Sequence, residues 1–116
     1  MRLVIAIIQP LKLHAVREAL EKIGVERMTV CDAQGYGRQR GQTATYRGNE
    51  YKTNLLRKIA LEIVVNEDFL DRTVDTIVQI SRSGSEGSIG DGKIFVLPLA
   101  ETISISDSSR GPAAVN

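Results

Sequence analysis

Two glycine-rich stretches carry the patterned chemistry of this chain. The first, Gly87-Ser88-Ile89-Gly90-Asp91-Gly92-Lys93, satisfies the opening G-x-x-x-x-G-K of a phosphate-binding loop. It fails at the next position, where Ile94 replaces the Ser or Thr that would hold magnesium. What survives is local physics: glycines let successive backbone N–H groups converge on an anion, and the adjacent Lys93 adds charge. The second stretch, Gly35-Tyr36-Gly37-Arg38-Gln39-Arg40-Gly41, combines glycines and cations in the same way. Groups suited to catalysis do not assemble beside them. There is no paired-carboxylate motif, and His14 has no nucleophile near it in sequence. Cys31 is the single cysteine, so it forms no internal disulfide and founds no metal framework; it reads as a small strand residue.

The flanking elements decide what these loops can do. Residues 3–8, LVIAII, read as a largely buried strand, with Pro10 placed where a first helical turn tolerates it. Leu13, Val16, Leu20 and Ile23 follow at helical spacing, and Gly24 ends the pattern as a C-terminal cap does. A second strand spans 28–33. The next twenty residues, through Leu56, are polar and basic with no sustained period. From Lys58 the period is two: Ile59, Leu61, Ile63 and Val65 share one face, and Lys58, Ala60, Glu62 and Val64 the other. Asn66 stands where it can cap a second helix, whose apolar stripe is Leu70, Val74, Ile77 and Val78. The glycine loop then leads into a strand over 94–97, Ile103 and Ile105 suggest a short edge strand, and a tail from Asp107 is expected to be disordered.

A loop that runs from helix to strand is the reverse of a nucleotide-hydrolase P-loop, which runs from strand to helix. The order β-α-β, long loop, β-α-β predicts an α+β fold, the ferredoxin-like double βαβ, an antiparallel sheet with two helices on one face. Ile and Val on both faces of several strands then call for an oligomer to cover the other face. The same order describes an RNA-recognition module, which stacks bases on strand aromatics. Of five aromatic residues only Phe95 falls inside an expected strand, which speaks against nucleic acid as a partner.

With 116 residues, 42% of them hydrophobic and 25% charged, the chain is one globular domain, expected over 1–106 with the tail at 107–116. Its longest apolar run is far short of the ~20 residues that span a bilayer, which predicts a cytoplasmic protein without membrane insertion. The 15 basic and 14 acidic side chains hide an asymmetry. Residues 35–58 hold six basic residues and one acid, net +5, leaving nine basic and thirteen acidic elsewhere, net −4. Unstructured loops beyond ~12–15 residues are uncommon in compact domains and usually functional, which marks this one as a docking surface or modification site.

Three segments together are specific enough to resemble a family. Gly35-Tyr36-Gly37-Arg38-Gln39, Thr45-Tyr46-Arg47-Gly48-Asn49-Glu50-Tyr51 and Ile89-Gly90-Asp91-Gly92-Lys93-Ile94-Phe95 resemble the PII signal-transduction proteins, the nitrogen regulatory GlnB/GlnK group. Pro10 with Val16-Arg17-Glu18-Ala19-Leu20 adds to the likeness, which covers roughly residues 1–105. The resemblance implies a homotrimer without catalysis, binding ATP or ADP between subunits, with Mg accompanying ATP and many members sensing 2-oxoglutarate. It implies a T-loop at about 37–56 that docks on an ammonium or other transporter, or on a metabolic or modifying enzyme, and a B-loop at about 83–93. By the same resemblance Ile7, Thr29 and Val64 form the base pocket, and Gly37, Arg38 and Gln39 lie at the T-loop base. Gly90, Asp91, Gly92 and Lys93 wrap the phosphates, Gln39 and Lys58 serve 2-oxoglutarate, and Tyr51 matches a uridylylated tyrosine.

The chain also departs from that pattern. Ser85-Glu86-Gly87-Ser88 follows Ser83-Gly84, a three-residue insertion that puts Ser88 where the family has lysine. Ser104 and Ser106 stand where two phosphate-contacting arginines are expected, and Gln9 replaces a lysine. A charge-assisted contact contributes ~1.5–3 kcal/mol, so losing several weakens a triphosphate grip by orders of magnitude. The resulting expectation is an adenine-nucleotide site with no strong preference for ATP, favouring ADP or AMP, and with weak 2-oxoglutarate sensing. The alternatives are a divergent regulator of another process with a different small effector, and a nucleotide-hydrolysing enzyme.

Overall fold

The computed structural model describes residues 1–36, 43–46, 49–52 and 55–115. Six strands and two helices follow in the order β1 (Arg2–Ile8), α1 (Leu13–Lys22), β2 (Thr29–Tyr36), β3 (Thr43–Tyr46), β4 (Asn49–Lys52), β5 (Leu55–Val65), α2 (Glu67–Ser81) and β6 (Gly92–Pro98). A 3-10 turn at Pro10–Lys12 precedes α1, and another closes the chain at Gly111–Ala114. The main sheet has the order β2-β5-β1-β6, every neighbouring pair antiparallel. Because β5 lies between β1 and β2, each β-α-β unit is split by a strand of the other, as the double βαβ fold requires.

Strand alternation explains where the core lies. Val4, Ala6 and Ile8 on β1 and Ile59, Leu61, Ile63 and Val65 on β5 turn to one face and are buried. Val16 and Leu20 of α1 and Ile77 of α2 close over them, with Leu13, Ile23, Phe69, Leu70 and Ile94 packed at the margin. The end of α1 is set by Gly24, whose φ of +94° is costly for a residue with a Cβ. Its N–H donates to the Glu21 carbonyl and that of Val25 to the Leu20 carbonyl, a Schellman motif that satisfies two end carbonyls. Val25 and Leu20 are both buried there, the apolar contact that accompanies the motif.

Helix α2 differs from its expected stripe. The buried positions are Thr73, Ile77 and Ser81, while Val78 is 38% exposed. Thr73 tolerates the interior because its Oγ1 donates to the Phe69 carbonyl one turn back, at 2.6 Å. Asn66 occupies the N-cap position without making the side-chain cap; its Nδ2 donates instead to the Pro112 carbonyl at 3.4 Å. Acidic Glu67 in the first turn accepts from Arg2 Nε at 2.7 Å, and that hydrogen bond holds its carboxyl below the usual range.

Two segments read as irregular carry backbone pairing. Within the long loop, β3 and β4 form an antiparallel pair from Thr43–Lys52 to Tyr46–Asn49. The tail expected to be disordered folds back on itself. Ser104 N–H donates to the Ser109 carbonyl and Gly111 N–H to the Thr102 carbonyl, and Arg110 pairs with Glu101. Ile103 contributes a single bridge to Arg110, not an edge strand of the main sheet. Among the described residues no helix is long and apolar enough to cross a membrane.

Leu61 is fully buried at the centre of β5. Leu61→Ala is expected to lower unfolding stability by about 2–5 kcal/mol, through lost burial and the cavity left behind. Urea denaturation followed by circular dichroism measures it; a change below about 1 kcal/mol contradicts this packing.

Candidate functional site

The glycine loop between α2 and β6 is organised by one carboxylate. Asp91 Oδ2 accepts the backbone N–H groups of Ser83 at 2.9 Å and Ser88 at 2.8 Å, and Oδ1 accepts from Ser83 Oγ at 2.6 Å. Hydrogen bonds to the ionised form favour it, and those from Ser83 and Ser88 draw the Asp91 pKa down to about 2. Asp91 therefore shapes the loop with its side chain. The two amides it consumes include Ser88, at the position where the resemblance expected a lysine. Sequence reasoning missed Ser83 as its partner, since nothing in the spacing marks an eight-residue span as a hydrogen bond.

Gly92 starts β6 at a point where no side chain fits. Paired with Ile8, it has φ +124°, and a Cβ there would overlap the carbonyl oxygen of Ile7. This approach brings Lys93 into register beside Ile7. Lys93 is exposed, and among the described residues it has no hydrogen-bond or ion-pair partner. Lys58 is committed instead: its Nζ donates to the Gly90 carbonyl at 2.6 Å. Its stem crosses Gly35, where a Cβ would lie 3.3 Å from Lys58 Cγ. The start of the long loop and the glycine loop are thus tied together by one lysine. An anion placed here would meet the N–H groups of a glycine-rich backbone and the free Lys93 ammonium, which suits a phosphate group.

Strand register places the remaining expected residues. Cys31, Ala60, Ile7 and Lys93 form one row across the sheet, and Thr29, Glu62, Ile5 and Phe95 the next. Val64 lies a further row along, beside Leu3 and Leu97. All sit on the face that carries no helix, where Phe95 is 49% and Leu97 41% exposed. Ile7 and Val64 are offset by the four residues between Ile7 and Leu3, roughly 13 Å at about 3.3 Å per residue. The expected base-pocket residues therefore do not converge within one chain. Ile7, Lys58, Gly90, Asp91, Gly92 and Lys93 gather at one end of the sheet, Val64 lies at the other, and Thr29 falls in the row between.

At the Val64 end a cavity of about 390 Å³ opens between the α1–β2 connection and the start of α2, with Arg27, Asn66, Phe69 and Val115 in its wall. Glu62 lies in the middle row with Thr29, and its Oε1 is 3.7 Å from Cys31 Sγ. Its place on the polar face of β5 is the signal that could have singled it out. Ser104 and Ser106 touch through their hydroxyls at 3.1 Å. Gly37, Arg38 and Gln39 lie outside the described residues. Tyr51 is in β4, opposite Ala44.

A split βαβ sheet with a clasped glycine loop at one end defines a protein of the ferredoxin-like class. The family model for nitrogen regulatory protein P-II matches residues 1–109. The chain is 48% identical over 115 residues to nitrogen regulatory protein GlnK1 of Methanosarcina mazei, covering 99% of this chain and 97% of that one. It is 47% identical over 115 residues to nitrogen regulatory protein P-II 1 of Escherichia coli strain K12, covering 99% and 100%. The crystal structure of Arabidopsis thaliana PII bound to citrate superimposes with a TM-score of 0.78 at 33% identity, over 98% of this chain and 88% of that one. The chain belongs to the P-II family, regulatory and non-catalytic proteins of nitrogen metabolism.

The Asp91 clasp predicts a pH response. Its folded pKa near 2 lies below the ordinary 3.8, so the clasp is at full strength above about pH 4 and is lost as pH falls through 2. The Ser83 and Ser88 amide resonances are expected to shift together with a midpoint near pH 2, and Asp91→Ala to remove that transition. A midpoint at the ordinary carboxylate value contradicts the clasp.

Proposed function

We propose that the chain is a cytoplasmic homotrimer that binds an adenine nucleotide between subunits and passes its state to a partner protein through the T-loop. The observation that carries this reading is the separation of the two half-sites on one sheet face. Residues that cannot meet within a chain meet when the Lys93 end of one subunit faces the Val64 end of the next. Such head-to-tail contacts close into rings when the rotation permits. The same contact covers Leu3, Ile5, Phe95 and Leu97, which the two helices leave open.

In this assembly Ile7, Thr29 and Val64 hold the base, and Gly90, Gly92 and Lys93 receive the phosphates. Gly37, Arg38 and Gln39 connect the nucleotide to the T-loop. Bound nucleotide shifts the population of loop conformations, and the loop then favours or disfavours docking on an ammonium transporter, another transporter or an enzyme. Tyr51 is the position for uridylylation in a cell that holds the modifying enzyme.

The phosphate end supports a shorter phosphate chain than ATP. Lys58 is engaged by Gly90, two loop amides are taken by Asp91, and Ser88, Ser104 and Ser106 carry no charge. ADP or AMP is then bound at least as well as Mg-ATP, and 2-oxoglutarate, read with Gln39 and Lys58, adds little. These features favour, as a second reading, a regulator of a process other than ammonium assimilation with a different small effector.

Calorimetric titration with ATP, ADP and AMP tests the nucleotide reading. Affinity for ADP is expected to equal or exceed that for Mg-ATP, and Lys93→Ala to weaken it about tenfold or more. Tight binding selective for Mg-ATP, or a clear gain with 2-oxoglutarate, overturns it. Light scattering is expected to give three times the mass of the chain; a monomer would leave the two half-sites apart and sink the shared site.

A further inference from the structure

On the helix side of the sheet, away from the face just described, a cleft of about 270 Å³ runs between the end of α2 and the edge strand β6. It exists because α2 packs over β1 and β5, leaving β6 at the margin of its cover. Val74, Ile77, Val78 and Ile94 form its apolar wall. Ser81, the last residue of α2, also lines it, only 7% exposed, and among the described residues its Oγ has no hydrogen-bond partner. Buried hydroxyls are normally paired, so this one calls for a partner from outside the chain.

The polar groups around the cleft are arranged by charge. The last carbonyls of a helix lack intrahelical donors and carry the negative end of its dipole. Among the described residues, the Val78 carbonyl alone of the last four in α2 is claimed from beyond the helix, through Arg82 N–H at 3.1 Å, and of the other three residues only Ser81 lines the cleft. Arg82 itself is exposed at the rim, and among the described residues its guanidinium has no ion-pair partner. Lys93 contributes backbone here, since by strand alternation its side chain leaves toward the other face. Asp91 at the mouth is occupied by Ser83 and Ser88. A negative pole, a buried hydroxyl and a positive pole thus flank a branched-aliphatic wall.

We propose that this cleft binds a free amino acid with a branched aliphatic side chain. Its ammonium meets Ser81 Oγ at the negative end of α2, its carboxylate meets Arg82, and its side chain lies against Val74, Ile77 and Ile94. The volume, below the ~300–1,000 Å³ of drug-sized pockets, suits a ligand of this size. The proposal does not rest on the nucleotide reading, although the cleft touches Asp91, Gly92 and Lys93 from behind, so occupancy bears on the glycine loop.

Titration of the full chain with L-valine and L-leucine, followed by calorimetry and by the resonances of Ile77 and Ile94, tests it. At least one of the two is expected to saturate the protein below about 10 mM, with L-glutamate not binding and isovalerate, which lacks the ammonium, at least about tenfold weaker. Val78→Trp, at a partly exposed position, is expected to abolish binding by filling the cleft, and Arg82→Gln to weaken it about tenfold. Circular dichroism melting and a nucleotide titration of both variants keep the readout separate from folding and from the other face. No saturation by either amino acid, isovalerate binding as tightly as L-valine, or unchanged affinity in both folded variants overturns the proposal.

Discussion

Everything in this molecule hangs on how closely β6 approaches β1. The central strand β1 is paired along its whole length on both sides, to β5 and to β6. On the β6 side the pairing opens at Gly92, where the Ile7 carbonyl occupies the space a side chain would need. Any larger residue there must push the strands apart or shift the register. A one-residue slip in a strand moves each side chain to the opposite face. Lys93 would then leave the open face and Ile94 the core, and neither the clasp of the glycine loop nor the packing under α2 would survive.

Much of the fold was legible because its signals are local. The alternation of Ile59, Leu61, Ile63 and Val65 defines β5, and Gly24 after Ile23 ends α1, since both patterns follow from strand and helix geometry alone. The rotation of α2 toward Thr73 was not legible. A threonine scores as polar until its hydroxyl is seen to bond one turn back, and that bond is invisible in composition. The β3–β4 pair was hidden for a related reason: Thr43 to Tyr46 and Asn49 to Lys52 lack the apolar alternation that marks a half-buried strand. The turn after Thr102 is held by backbone bonds and the Asp107 carboxylate, which its Ser/Asp/Gly composition disguised as a tail.

The site was legible as residue types but not as places. Glycines and a lysine announce an anion, yet only register shows that Ile7 and Val64 lie at separate ends of one face. Asp91 is given to the phosphates by the resemblance, and its carboxylate folds as the post that holds its own loop together. Lys58, which the resemblance gives to 2-oxoglutarate, donates to the Gly90 carbonyl. A hydrogen bond across 32 residues for Lys58, and bonds to Ser83 and Ser88 within its own loop for Asp91, decide what each charged side chain has left to offer.

Two half-sites at opposite ends of one sheet face also bear on how this protein is inherited. In a closed head-to-tail ring each composite site draws one half from each of two neighbours. A subunit damaged only near Lys93 and another damaged only near Val64 can then still build a sound junction together, at the interface where their intact ends meet. In the ring proposed above, two defective alleles of this sort would complement each other in one cell, whereas two alleles damaged at the same end would leave no sound junction in any mixture.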